Sequence, residues 1–264
     1  VLGQRVLSTI VLAPLLIAAA AFGGLWFFAV VVAGALVGCW ELFTLLRRAG
    51  FSPLWPFGMA LALAFLLDAY LQPGVIAPAA LAILLIASLS YMVLWQRLDA
   101  SLSDWAVTWV PPLYIGFLLA FPLALRQMPG GDRWIYLILA VTWITDIAAF
   151  FAGRFFGRHR FFPRISPRKT VEGAIGGLIA GVISGALLAV YFGADVLPVV
   201  AFALVASVAA EAGDLAESLI KRQLQTKDSG QLIPGHGGVM DRLDSLLFVG
   251  VVAYFWARWA GGVL

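Results

Sequence analysis

Three carboxylates at helical spacing close an otherwise apolar segment of this chain. Glu211, Asp214 and Glu217 are followed by Ser218, Lys221 and Arg222. At 100° per residue these six side chains fall within an arc of about 140°. Ala209, Ala212, Leu215, Ala216 and Leu219 fill the other side. An amphipathic helix end accounts for the two cations. It does not account for three acids unless something cationic meets them. Asp146 is a further acid inside an apolar stretch, and Asp241 and Asp244 open the last one. Acids suit the start of a helix. With Asp214 they could also gather oxygen ligands for a hard divalent cation.

The segment from Lys221 to Asp244 adds anion-binding chemistry. Lys221, Arg222 and Lys227 come first, then Pro234-Gly235-His236-Gly237-Gly238, then Asp241, Arg242 and Asp244. Glycines there allow several backbone N–H groups to point at one acceptor. Upstream, a basic loop runs from Gly153 to Arg160. Ser166-Pro167-Arg168-Lys169-Thr170-Val171-Glu172-Gly173 then reads as a helix start, with Ser or Thr as N-cap. Such an N-terminus with Lys169 beside it makes an anion site. Gly173, Gly176, Gly177 and Gly181 predict close helix packing. Together these residues point to an anionic phosphate substrate and a metal ion. Glu41 and Asp68 lie near span ends, where charges are tolerated, and read as structural.

The elements that position these residues are membrane helices. The chain has 264 residues, 62% hydrophobic and only 12% charged, against about 25% charged in soluble domains. Mean hydropathy is +0.98. Seventeen basic and fourteen acidic residues cannot clothe a soluble protein of this size. A soluble enzyme, a disordered chain and a disulfide scaffold are excluded, and a polytopic all-α membrane bundle is expected. Nine apolar stretches read as spans: about 6–22, 24–45, 54–71, 75–95, 105–125, 134–152, 171–192, 196–218 and 244–262. The first lacks a cleavage site and reads as a span, not a signal peptide. With the N-terminus inside, the cytoplasmic segments hold Arg5, Arg47, Arg48, Arg97, Arg154, Arg158, Arg160, Arg164, Arg168, Lys169, Lys221, Arg222, Lys227 and Arg242; only Arg126, Arg133 and Arg258 fall outside. Residues 1–130 read as scaffold helices and 131–264 as a catalytic region with two basic cytoplasmic loops, within a single membrane domain. Cys39 is the lone cysteine and two histidines cannot build a histidine metal site.

At these residues a family resemblance becomes specific. Ser218-x-x-Lys221-Arg222, Lys227-Asp228-x-Gly230 and Ile233-Pro234-x-His236-Gly237-Gly238-x-x-Asp241-Arg242-x-Asp244 resemble the signature of the phosphatidate cytidylyltransferases, the CDP-diacylglycerol synthases of bacterial type. Asp146-x-x-Ala149-Phe150-Phe151-x-Gly153, Ser166-Pro167-x-Lys169-Thr170-x-Glu172-Gly173 and the opening Arg5-Val6 are similar to it too. The resemblance is residue by residue over roughly 140–245 and hydropathic before that. It implies CTP and phosphatidate as substrates, CDP-diacylglycerol and pyrophosphate as products, and a role in phospholipid biosynthesis. It implies Asp214 and Asp241 as Mg²⁺ ligands, Asp244 and Asp146 as additional metal positions, and K⁺ as a second cation. Lys221, Arg222, Lys227 and Arg242 would bind the triphosphate and the lipid phosphate, with Asp214, Asp241, Lys227 and Arg222 in the catalytic roles. His236, Gly237 and Gly238, with Ser166, Lys169, Thr170 and Ser218, would complete the substrate site. The expected location is the inner (plasma) membrane, with the site facing the cytoplasm. The bilayer is the surrounding partner, nucleic acid is not one, and a homodimer is favoured.

Two other readings compete. A transporter shares intramembrane acids and prolines within spans, here Pro111, Pro112 and Pro122, but the chain has no repeated half. A cytidylyltransferase acting on another lipid phosphate, such as an ether-linked archaeal one, shares parts of the motif. The Asp-Gly-x-x-Ala-Arg pattern of CDP-alcohol phosphatidyltransferases is absent.

Overall fold

The computed structural model of the chain describes residues 13–71, 74–95, 101–230 and 237–260. They form helices α1 (Ala13–Phe22), α2 (Gly24–Arg48), α3 (Trp55–Leu71), α4 (Ile76–Leu94), α5 (Leu102–Thr108), α6 (Leu118–Arg126), α7 (Gly131–Phe156), α8 (Val171–Phe192), α9 (Val196–Gln223) and α10 (Met240–Ala260). One small hairpin, β1 (Arg160–Phe162) and β2 (Ser166–Thr170), separates α7 from α8. Among the described residues, six segments can cross a membrane by length and composition: α2, α4, Leu102–Arg126, α7, α8 and α9. α1 and α3 are shorter apolar helices, and α10 carries Asp241 in its first turn. The protein is an all-α polytopic membrane protein.

The chain divides into two compact units. One comprises residues 1–124 and 224–241, the other 125–223 and 242–264. In the first, Leu61, Phe65 and Trp109 form a buried cluster against Phe57, Leu81 and Trp105. Pro111 and Pro112 lack the N–H groups a helix ladder needs, and Pro112–Phe117 relaxes into a π-helical segment between α5 and α6. Gly116 there lies so close to α3 that a Cβ would come 2.8 Å from the Ala62 Cα. Asp68 ends α3 by capping its neighbour. Its carboxylate accepts the N–H groups of Gly74, Val75, Ile76 and Ala77 at 2.6–3.0 Å, the donors at an α4 N-terminus that has no side-chain cap from its own N-cap residue. The structural reading of Asp68 thus acquires a mechanism.

In the second unit, α8 presents a column of buried glycines, Gly173, Gly177, Gly181 and Gly185. A Cβ on Gly177 would meet the Thr145 carbonyl at 2.8 Å and the Ala149 Cβ at 2.9 Å; one on Gly181 would collide with Thr145 and Ser207. The column therefore packs against α7 and α9 of the same chain; the spacing of Gly173, Gly177 and Gly181 predicted close packing but not its partner. Thr145 and Ser207 hydrogen-bond through their hydroxyls at 3.1 Å. On α9, a Cβ at Gly213 would come within 2.5 Å of the Asp244 carbonyl oxygen. That bare position lets α10 lie directly on α9 at Asp244 and Ser245.

Candidate active site

The close approach at Gly213 sets the central geometry. With α10 pressed on α9, one oxygen each of Asp214, Glu217 and Asp244 lie within 4.8 Å of one another. Asp214 and Glu217 are one helical turn apart on the polar stripe, and Asp244 meets them from α10. Three hard oxygen donors at this separation fit a hard divalent cation, and their negative charge calls for one. Asp146 on α7 lies within electrostatic range of Asp244, Asp214, Glu211 and Lys169.

Two lysines share the cluster. Lys169, at the end of β2, reaches Glu211 Oε2 at 3.0 Å and Asp214 Oδ2 at 2.9 Å. Burial opposes its charged form, but Asp214 and Glu211 outweigh that and hold its ammonium above the ordinary lysine range. Lys221 pairs with the fully buried Glu217 one turn earlier on α9. Ser218 Oγ donates to Asp214 Oδ1 at 3.4 Å, a long bond. Arg222 donates through Nε to the Ile165 carbonyl at 3.2 Å, tying the end of α9 to the hairpin turn. Asp244 accepts the Ser245 N–H at 2.7 Å. Arg242 is exposed. Thr170 is the N-cap of α8, its Oγ1 accepting the Gly173 N–H at 3.1 Å. Ser166 sits opposite Phe162 in the hairpin register.

Asp241 belongs to the first unit and is held differently. Its Oδ2 accepts the N–H and the hydroxyl of Ser229 at 3.0 and 2.8 Å and the Gly238 N–H at 2.8 Å. Gly237, with φ at +83°, makes the turn that brings Gly238 there. Glu41, buried on α2, accepts the Val239 and Met240 N–H groups at 3.0 and 2.9 Å and the Ser229 hydroxyl at 3.3 Å. Gly238 sits against Glu41 and Ser229 so closely that any side chain would collide with them. Lys227 is exposed. His236 lies outside the described residues.

Sequence reasoning thus named Asp214, Asp244, Asp146, Lys169, Lys221 and Ser218, and all six lie around one cluster. It left Glu217 out of the ligand set, although its place three residues after Asp214 was the available signal. Glu211 was visible on the stripe, but its partner Lys169 was not. Glu41 was read as a tolerated span-end charge, and nothing local reveals that it organises residues almost two hundred positions away.

Residues 3–259 match the cytidylyltransferase family. The chain is 36% identical to a phosphatidate cytidylyltransferase of Brucella suis over 96% of its own length and 92% of the relative's. A Pseudomonas aeruginosa protein of the same name is 34% identical over 99% and 98%, and one from Synechocystis is 30% identical over 96% and 95%.

Proposed function

This chain belongs to the cytidylyltransferase family, and we propose that it makes CDP-diacylglycerol from CTP and phosphatidate in the inner membrane, for phospholipid synthesis. A phosphate oxygen of the lipid forms a bond to the α-phosphorus of CTP. The bond from that phosphorus to the bridging oxygen of the β-phosphate breaks, and pyrophosphate leaves. The attacking phosphate is already anionic near neutral pH, so no strong general base is required. Holding two polyanions in line is the main task.

The observation that carries this reading is the convergence of Asp214, Glu217 and Asp244 beside Lys169 and Lys221. Those acids, with Asp146 as a further candidate, would hold a divalent ion such as Mg²⁺, with K⁺ as a second cation. The ion would neutralise phosphate oxygens and polarise the phosphorus under attack. Lys169 bridges Glu211 and Asp214 and so fixes the direction of the Asp214 carboxylate. Lys221 holds Glu217 in place. Arg222, Lys227 and Arg242 are exposed cations suited to the triphosphate and the lipid phosphate. Ser166, Thr170, Gly237, Gly238 and His236 are proposed to complete the substrate site. Asp241 is proposed as a metal ligand too, alongside its work in the loop. The excess of basic residues in the loops after α7 and α9 supports a site facing the cytoplasm. A homodimer is part of the proposal and is read by native mass measurement.

The test is purified protein with labelled CTP and phosphatidate, with and without a chelator. Labelled CDP-diacylglycerol that disappears with chelator and returns with Mg²⁺ is the expected result. A transporter would make no new lipid, and product formation indifferent to chelator would overturn the metal assignment.

A further inference from the structure

Outside the carboxylate cluster, the densest unexplained chemistry lies on the hairpin between α7 and α8. Arg154, Arg158, Arg160, Arg164 and Arg168 are all exposed. No acid occurs from Ile147 to Val171. The one acid that follows, Glu172, is already engaged: it accepts the Arg158 and His159 N–H groups at 3.0 and 3.2 Å and meets His159 Nδ1 at 2.6 Å. Interleaved with the arginines are Phe155, Phe156, Phe161 and Phe162, also exposed.

The hairpin is fixed and not a slack loop. Val171 N–H donates to the His159 carbonyl at 2.9 Å, and Ile165 N–H to the Phe162 carbonyl at 3.1 Å. Arg160 pairs with Thr170 and Phe162 with Ser166. α7 and α8 are both membrane-crossing by length and composition, and only residues 157–170 separate them. A hairpin this short, joined at both ends to spans, lies in or next to the head-group zone. Aromatic rings suit that depth, and arginine stems lie along acyl chains while their guanidinium groups reach phosphates.

We propose that this hairpin, with the last turn of α7, is a docking surface for anionic phospholipid of the surrounding bilayer. The proposal goes beyond the reaction and does not depend on it, because lipid binding is measured without turnover. Positive charge at this face would follow from topology alone. What topology does not supply is a hydrogen-bonded hairpin and an adjoining helix turn that each carry two exposed phenyl rings among the arginines. Guanidinium groups recognise phosphate by paired donors, so the occupant is a lipid with net negative charge.

The experiment uses the full chain in nanodiscs of phosphatidylcholine containing spin-labelled phosphatidylglycerol. The probe's preference over spin-labelled phosphatidylcholine is read at low and high salt. The native chain should prefer phosphatidylglycerol, and salt should weaken the preference. The fourfold variant Arg158→Gln, Arg160→Gln, Arg164→Gln and Arg168→Gln should lose it, by up to about fivefold for each arginine near the surface. The corresponding lysine variant should retain most of it. Phe161→Ser with Phe162→Ser should reduce probe contact without changing the salt dependence. Should the fourfold variant not assemble, Arg164→Gln alone, in the exposed turn, makes the same comparison at smaller amplitude. An unchanged preference in the glutamine variant overturns the proposal. So does a raised KM for CTP with an unchanged lipid preference, which would make this a nucleotide surface. Loss of lipid preference with normal turnover in the glutamine variant leaves the proposed reaction standing, and a native chain that prefers phosphatidylglycerol but makes no CDP-diacylglycerol leaves the docking surface standing.

Discussion

Carboxylates of the first unit and of the α9–α10 cluster in the second are balanced in opposite ways. In the first unit they are met by main-chain N–H groups. Asp68 takes four, Glu41 and Asp241 take two each, and the last two share the single hydroxyl of Ser229. In the second unit Glu211, Asp214 and Glu217 meet lysine ammonium groups, and Asp214, Glu217 and Asp244 also meet one another. Backbone donors are fixed by the fold and cannot follow a reacting group. Side-chain cations can exchange a carboxylate for an arriving phosphate, and adjacent carboxylates can share an added cation. The contrast separates acids that build the protein from acids available to a ligand. Asp241, proposed as a ligand but held as a builder, is where the distinction is sharpest.

The strongest way to break this contrast is to neutralise one acid on each side. Asp214→Asn and Asp244→Asn should each lower CTP-dependent turnover about 100-fold or more, with little change in thermal stability. Near-normal turnover in either would remove the cluster from the chemistry. Asp241→Asn should lower both turnover and melting temperature, because it disturbs the Ser229–Gly238 turn as well.

Geometry gives the next effect. Gly213→Ala inserts a methyl group against α10, and overpacking of this kind costs about 1–3 kcal/mol. The added carbon should also separate Asp244 from Asp214, so the Mg²⁺ concentration for half-maximal turnover should rise. A variant with unchanged Mg²⁺ dependence would show that helix contact does not set ion affinity.

Glu41→Gln turns part of a two-acceptor group into a donor facing main-chain N–H groups. A loss of about 1–3 kcal/mol in stability is expected, with reduced turnover and unchanged KM for CTP. A variant as stable and active as the parent would show that the loop containing Asp241 does not need this anchor. Asp68→Asn should cost about 0.5–2 kcal/mol, the range of a helix cap, and leave turnover alone. Reduced activity at full stability would make it more than a cap.

The smallest effect concerns pH. Because the Lys169 pKa is raised on folding, its ion pairs contribute stability fully below the unfolded lysine value of about 10.4, and that contribution fades only as pH rises through the higher folded value. The melting-temperature difference between the parent and Lys169→Met should therefore stay flat from pH 7 to about 10. A difference that shrinks near pH 8 would contradict the double pairing with Glu211 and Asp214.

Much of this was legible in residue order. The carboxylate stripe follows from helical periodicity alone, and among the described residues six of the nine apolar stretches fall on helical segments long and apolar enough to cross a membrane. The glycines of α8 announced close packing, which the chain realises internally. Three features were not legible. A three-residue strand such as Arg160–Phe162, beside one containing Pro167, has too little alternation to signal a hairpin. Glu172 falls in the first turn of the helix expected there, yet its carboxylate turns to the Arg158 and His159 backbone. Glu41 and the turn it holds are so distant in sequence that only tertiary packing joins them. Local pattern reports periodicity and turns; it carries no information about which distant donors a buried acid will find.

The bare column of α8 has one more implication. Gly173, Gly177, Gly181 and Gly185 are already covered by helices of the same chain. What α8 turns outward is Ile175, Ile179, Ile183, Leu187 and Val190, all exposed branched hydrocarbon. A second copy approaching along this helix would find a fatty ridge instead of a smooth groove, the texture of a surface made to mix with acyl chains.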